Sequence, residues 1–121
     1  MKSITLGPEN AVIIKAFIHT GEALGLDDIE LSAILDDHVF TIMLIRQGNQ
    51  LLQLGPEARS RALLLIHLHQ SLLAVVGNEQ NAKNWLRSHN DGLCGRPCNL
   101  ITFHAGLEQV VQYLAANRAL I

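Results

Sequence analysis

Proline and glycine residues divide this chain into segments of helical length, and this division constrains the fold more than any other feature of the sequence. Two Pro-Glu pairs are typical of helix starts and three glycines are typical of helix ends: Pro8-Glu9, Pro56-Glu57, Gly25, Gly48 and Gly77. Proline suits the first turn because no amide hydrogen is needed there, and glycine suits the end because it adopts positive φ without strain. The spacing predicts helices over residues 8–24 and 56–76.

Capping residues predict several shorter helices. Asp27 or Asp28 caps the second helix and Asn78 caps the fifth, since short oxygen-bearing side chains satisfy free amides at helix starts. The predicted shorter helices cover residues 28–35, 38–47, about 78–88, 99–103 and about 106 onward. Strand-like alternation is weak. The sequence therefore predicts an all-α fold, a compact bundle of about six to seven helices with a helix-turn-helix in its N-terminal half.

The first helix has an apolar stripe and additional apolar residues beside it. Helical spacing predicts the inward residues Val12, Ile13, Ala16, Phe17, Thr20 and Leu24. Ile14 and Ile18 lie off this stripe. This surplus apolar surface, together with that of the third helix, predicts a homodimer or a higher oligomer.

The stretch from residue 28 to residue 48, D-I-E-L-S-A-I-L-D-D-H-V-F-T-I-M-L-I-R-Q-G, has the spacing of a helix-turn-helix. Four residues are expected to be buried there: Leu31, Leu35, Ile42 and Ile45. Asp36 stands where such motifs usually have a glycine in the turn. Aspartate tolerates the left-handed conformation better than most residues, so the turn is expected to form.

The outward face of the third helix indicates what kind of partner this motif contacts. Its residues are His38, Val39, Phe40, Thr41, Met43, Leu44, Arg46 and Gln47. A helix that reads DNA presents polar or basic side chains to base edges and phosphates, whereas Val39, Phe40, Met43 and Leu44 are apolar. An exposed apolar face usually marks a protein contact. Two interpretations stay open, a protein or oligomer interface and a DNA-binding surface.

Charge and hydropathy limit the partners further. The net charge is −2, which does not indicate a general affinity for polyanions. Residues 1–45 carry seven acidic and two basic residues, whereas residues 46–121 carry seven basic and four acidic ones. The N-terminus lacks a signal-peptide pattern, and the longest apolar runs are far shorter than the ~20 residues that span a bilayer. We expect a soluble, cytoplasmic protein without a membrane partner.

A stretch rich in cysteine and histidine raises the alternative of a zinc site. Cys94 and Cys98 are spaced C-x3-C, with His89 and His104 on either side. Zinc sites favour clearer pairs such as C-x2-C, and Pro97 stiffens this loop. The two cysteines are therefore predicted to be small buried apolar residues, with no metal and no cofactor. No nucleophile elbow or phosphate loop is present, so an enzyme is not expected.

The C-terminal motif allows a comparison with a known family. It consists of Ala82, Trp85, Leu86, Asn90, Leu93, Gly95 and Pro97, followed by G-L-E-x-V-x-x-Y-L over Gly106 to Leu114. This pattern resembles the toxin-binding domain of the Xre/MbcA/ParS antitoxin family. The preceding part resembles the Xre-like helix-turn-helix domain that often stands in front of it. The resemblance divides the chain into a domain over residues 1–76 and a toxin-binding domain over residues 77–121.

The resemblance implies an antitoxin of a type II toxin–antitoxin system. Such proteins bind a RES-type toxin, which consumes NAD, and occlude its active site. Many also repress their own operon through the helix-turn-helix, which is the alternative function. By resemblance, the toxin-binding scaffold is Trp85, Leu86, Asn90, Leu93, Gly95 and Pro97. The final segment, Gln112 to Ile121, would reach toward the toxin's pocket, and we infer that Arg118 contacts carboxylates or a phosphate site there. The sequence departs from the pattern at Cys94, where glycine is common, and in its ending A-A-N-R-A-L-I.

Overall fold

The computed structural model describes residues 7–48 and 54–117. Within these residues the chain forms seven α-helices and one short 3-10 helix, η1. They are α1 Gly7–Ala23, α2 Asp28–Leu35, α3 Val39–Arg46, α4 Pro56–Val76, α5 Glu79–Arg87, η1 Asp91–Leu93, α6 Pro97–Leu100 and α7 His104–Asn117. The same residues contain no strand, only one isolated β-bridge between Asn90 and Gly95. The all-α prediction is confirmed.

The local signals at the start and end of α2 act as the sequence indicates. The Asp27 carboxylate accepts a hydrogen bond from the Glu30 amide at 2.8 Å, and the Glu30 carboxylate accepts one from the Asp27 amide at 2.9 Å. This reciprocal pair satisfies two amides that the helix itself leaves free. At the other end, Asp36 adopts the left-handed conformation with φ of 57°. The predicted turn between α2 and α3 is confirmed.

Helix α4 is the centre of the bundle. It contacts α1, α2, α5 and α7, and α3 packs on α2. The largest fully buried side chains are aliphatic except for one phenylalanine: Phe17, Leu24, Leu31, Ile34, Leu35, Ile42, Leu65, Leu68, Leu72, Leu86, Ile101 and Leu107. This apolar surface provides the main driving force for folding. The N-terminal and C-terminal halves share one core because both pack on α4.

Two details of the sequence prediction were wrong. Val12 was predicted to face inward, but 65% of its surface is exposed. Helix α1 packs on α4 through a narrower stripe that includes Ile13, Phe17 and Thr20. The short helix predicted over 99–103 is α6, which begins earlier, at Pro97, because proline occupies its first turn.

The four residues between 28 and 48 that were expected to be buried pack largely as predicted. Leu31, Leu35 and Ile42 are buried, and Ile45 is partly buried against the core.

Among the described residues, no single helix is both long and apolar enough to cross a membrane. Helices α4 and α5 pass that test by length and composition only as a pair, and the pair is bent by 107°.

Arg87 ties the end of α5 to the beginning of α2. Its guanidinium donates two hydrogen bonds to Glu30, at 2.6 and 2.9 Å, and a third to the Gly25 carbonyl at 2.7 Å. The bidentate geometry is the strong form of this interaction. The hydrogen bond from Arg87 holds the pKa of Glu30 below its ordinary value, although partial burial acts in the opposite direction. One side chain thus links the two halves of the chain.

We expect Arg87→Gln to lower the free energy of unfolding at pH 7 by about 1 kcal/mol, since the pair is partly exposed. The pKa of Glu30 is depressed only in the folded state, so the stability it contributes is present above the ordinary value of 4.5 and is lost as the pH falls below it. The difference between the two proteins should therefore shrink below pH 4.5, as measured by urea denaturation at several pH values. Arg96→Gln removes the same charge from an exposed position and is the control. An equal loss in both variants would contradict the role of the bridge.

Candidate functional site

The turn between α5 and α6 is held together by the backbone of two residues. The Asn90 amide donates to the Gly95 carbonyl at 2.9 Å, and the Gly95 amide donates to the Asn90 carbonyl at 3.2 Å. The Asn90 side chain also accepts from the Leu93 amide at 3.1 Å and caps η1. Asparagine suits this position because its short side chain replaces a missing backbone acceptor. The turn is therefore a closed and ordered unit.

The predicted toxin-binding residues separate into two groups by exposure. Leu86, Leu93 and Pro97 are buried and hold the turn against the helices. Trp85, Asn90 and Gly95 are partly exposed. Arg118 lies outside the described residues. Of the predicted toxin-binding residues that the structure describes, only the partly exposed ones are able to touch a partner directly.

Trp85 makes an aromatic contact that the sequence pattern did not predict. Its ring stacks on that of Tyr113 in α7, with ring centroids 6.5 Å apart and planes inclined by 29°. Both rings are partly exposed and pack against the core. Tyr113 is the only tyrosine in the chain and lies within the C-terminal motif, which was the available signal. The pair joins α5 to α7 at the surface.

Gly92 lies directly against the tyrosine of this aromatic pair. A Cβ atom at this position would be 2.8 Å from Cε1 and 2.9 Å from the hydroxyl oxygen of Tyr113. Both distances are shorter than carbon atoms tolerate without displacement. No Cβ contact of this kind exists at Gly95, where an added Cβ would meet nothing within 4 Å. An added side chain would therefore displace the Tyr113 ring at Gly92, but would displace nothing at Gly95.

The two cysteines differ in environment. Cys98 is buried, as predicted, but Cys94 is exposed, so that part of the prediction was wrong. Cys94 ends η1 with φ of 59°, a left-handed conformation that glycine adopts with less strain than cysteine. Among the described residues, no group of three or more His, Cys, Asp or Glu is placed to hold a metal ion.

The two histidines that flank the cysteines have carboxylate neighbours on the surface. His89 Nε2 is 3.1 Å from Asp91, and His104 Nε2 is 3.4 Å from Glu108. Each pair is local in the sequence and solvent-exposed, so its contribution to stability is small.

Cys94→Gly is expected to raise the free energy of unfolding by about 0.5–1 kcal/mol. An L-residue in the left-handed conformation costs about 1–2 kcal/mol, and the larger entropy of glycine in the unfolded chain offsets part of the gain. Thermal denaturation measures the difference. The matched variant Cys98→Gly should destabilise the protein, because it removes a buried side chain in a helix. A loss of stability in Cys94→Gly would contradict the observed turn geometry.

A second surface lies on α3. Phe40 and Met43 are 58% and 44% exposed, and Gln47 is exposed beside them. Val39 and Leu44 are partly exposed on either side of this stripe. A run of apolar side chains on one exposed helix face is the pattern expected of a protein contact.

The polar residues of α3 are engaged within the chain. Arg46 donates hydrogen bonds to Asp28 at 2.7 Å and to Glu22 at 2.9 Å, and these bonds raise its pKa. His38 Nδ1 accepts from the Phe40 amide at 3.0 Å, and the Thr41 hydroxyl donates to Asp37 at 2.9 Å. These side chains therefore stabilise α2, α3 and the turn between them.

Comparison with known families gives a match in the C-terminal part of the chain. Residues 71–119 match the model of the antitoxin Xre/MbcA/ParS C-terminal toxin-binding domain. The match runs from the last turns of α4 through α7 and includes the stacked aromatic pair and the turn at residues 90–95. A search of curated proteins found no match for this chain.

Proposed function

We propose that this chain is the antitoxin of a type II toxin–antitoxin system and that it neutralises a RES-type toxin. The observation that carries the proposal is the match of residues 71–119 to an antitoxin toxin-binding domain. The N-terminal Xre-like helix-turn-helix and the division near residue 77 belong to the same proposal. Because RES-type toxins consume NAD inside the cell, the antitoxin would act in the cytoplasm.

The proposed mechanism is occlusion without chemistry. The surface of the 90–95 turn and the partly exposed Trp85 supply the contact, while Leu86, Leu93 and Pro97 keep this surface rigid. A rigid surface loses little conformational entropy on binding, which favours affinity. The segment after Leu114 would extend toward the toxin's pocket, where the guanidinium of Arg118 suits a site built for a phosphate-rich ligand.

The apolar stripe of α3 favours a protein contact over DNA reading. Phe40 and Met43 occupy positions where a recognition helix needs polar groups, and Arg46 is held by two carboxylates. Two copies of an uncharged stripe are complementary to each other, as an isologous dimer requires. We propose that this face joins two copies of the chain, so that operator binding is the less favoured second role.

Phe40→Glu is expected to weaken this dimer at least ten-fold, because a charge is buried where a large aromatic side chain made contact. Sedimentation equilibrium measures the dissociation constant of the dimer. Ile29→Glu places the same charge on another exposed apolar position, 71% exposed on α2, and should leave the dimer unchanged. A dimer that tolerates the change at residue 40 would exclude the α3 interface.

Co-expression tests the proposed function as a whole. The probe is the protein encoded by the reading frame next to the gene of this chain, expressed from an inducible promoter. We expect this protein to stop growth alone, with depletion of cellular NAD, and growth to resume when the chain is co-expressed. Growth arrest that the chain does not relieve, or a neighbouring product without toxicity, would contradict the proposal.

A further inference from the structure

We infer that the stacked pair of Trp85 and Tyr113 is the anchor by which the chain binds its toxin, and that Gly92 is the positioning residue that keeps the pair in place. The inference rests on the proposed function and assigns roles to two further residues, Tyr113 and Gly92. The pair lies within the matched residues 71–119, on the surface where α5, α7 and the 90–95 turn meet. The occupant is therefore the toxin chain.

The distribution of aromatic residues supports an anchor at this position. The chain has only five, of which Phe17 is fully buried. The remaining four are exposed or partly exposed: Phe40, Trp85, Phe103 and Tyr113. A chain that used aromatic side chains for packing alone would bury most of them, since each one buries a large apolar area. Tyrosine and tryptophan are also the residues that most often dominate binding energy at protein interfaces.

The geometry of the pair suits a rigid anchor. The rings are 6.5 Å apart and within 29° of parallel, so each limits the movement of the other. The inner parts of both side chains pack against the core. Such a pair fits an apolar or guanidinium side chain of the toxin, which would contact the outer part of the rings. Little rotamer freedom is then lost when the toxin binds.

Gly92 has a specific relation to this pair. Its φ is not positive, so backbone conformation alone does not explain a glycine here. A Cβ atom added at Gly92 would lie 2.8 Å from Cε1 of the Tyr113 ring and 3.2 Å from the side-chain oxygen of Asn90. A methyl group would push the ring away from its stacked position. The missing side chain therefore serves the placement of Tyr113.

A fluorine label tests the anchor directly, because Trp85 is the only tryptophan in the chain. The chain labelled with 5-fluorotryptophan gives one ¹⁹F resonance, and the unlabelled product of the neighbouring reading frame is added until size-exclusion chromatography shows a complex. We expect the resonance to shift and broaden when the complex forms. A complex with an unchanged Trp85 resonance would overturn the anchor and leave the proposed function standing, whereas no complex would overturn both.

Two variants complete the test. Gly92→Ala and Tyr113→Ala should each weaken the complex at least ten-fold, as measured by isothermal titration calorimetry. Gly55→Ala is the matched control, since its Cβ would meet nothing within 4 Å and it lies outside the matched segment. Circular dichroism verifies that each variant is folded. Wild-type affinity in a folded Gly92→Ala or Tyr113→Ala protein would contradict the role assigned to that residue.

Discussion

Gly106→Ala is expected to lower the free energy of unfolding by about 3 kcal/mol, a large effect for the addition of a single methyl group. Gly106 lies in the first turn of α7, where a Cβ would be 2.0 Å from the carbonyl oxygen of Leu100 and 2.8 Å from its carbonyl carbon. These are backbone atoms, so the contact is relieved only if α6 and α7 move apart. That movement would open the core beside Leu107 and Ile101, which are fully buried.

The sign of this effect distinguishes close packing from helix propensity. Helix propensity alone predicts that alanine in place of a helical glycine stabilises a protein by about 1 kcal/mol. Urea denaturation of the wild type and of Gly106→Ala decides between the two. Gly55→Ala, at an open position, should lower stability by only about 0.5–1 kcal/mol, which is the ordinary difference between these residues at an N-cap. A Gly106→Ala protein as stable as the wild type would show that α6 and α7 pack less closely than described.

Removal of the residues after Leu114 is expected to abolish toxin neutralisation while the bundle stays folded. Leu114 is fully buried, whereas Ala115 and Ala116 are exposed, so the deletion removes no described core side chain. Growth arrest by the co-expressed toxin should therefore persist with the shortened chain. The physical reason is that the proposed occluding segment is missing, although the proposed toxin-binding scaffold remains.

A point variant distinguishes the effect of the whole tail on protection from the effect of the Arg118 charge alone. Arg118→Ala in the full chain should lose part of the protection, since it removes only the guanidinium. Growth on plates and residual NAD in the cells are the two measurements, and unfolding curves verify that both proteins are folded. Full protection by the shortened chain would remove the tail from the mechanism.

Local signals in the sequence were sufficient for most of the fold. Asp27, Asn78 and Pro56 act within one helical turn, so the starts of α2, α5 and α4 could be predicted without tertiary information. The same is true of the left-handed Asp36, because it directly follows α2 and aspartate tolerates this conformation. The division of the chain into domains over residues 1–76 and 77–121 stays a prediction. The family match over residues 71–119 begins inside α4.

Features that depend on the packing of distant segments could not be predicted. Val12 has the spacing of an inward residue, but its exposure is decided by which face of α1 packs on α4. Cys94 lies exposed in the turn after η1, which its apolar character does not reveal. The aromatic contacts of the candidate site could not be predicted for the same reason. The contacts of Tyr113 with Trp85 and Gly92 join α7 to α5 and to η1, and no periodicity records them.

Inhibition of the purified toxin is the most direct test of neutralisation by occlusion. NAD consumption by the product of the neighbouring reading frame is measured while the purified full chain is added in increasing amounts. We expect the rate of NAD consumption to fall to zero as the chain approaches a fixed stoichiometric ratio to the toxin. The chain itself should undergo no covalent change, as binding without chemistry requires. Undiminished NAD consumption in the presence of a large excess of folded chain would contradict the claim that this protein acts by occluding a toxin.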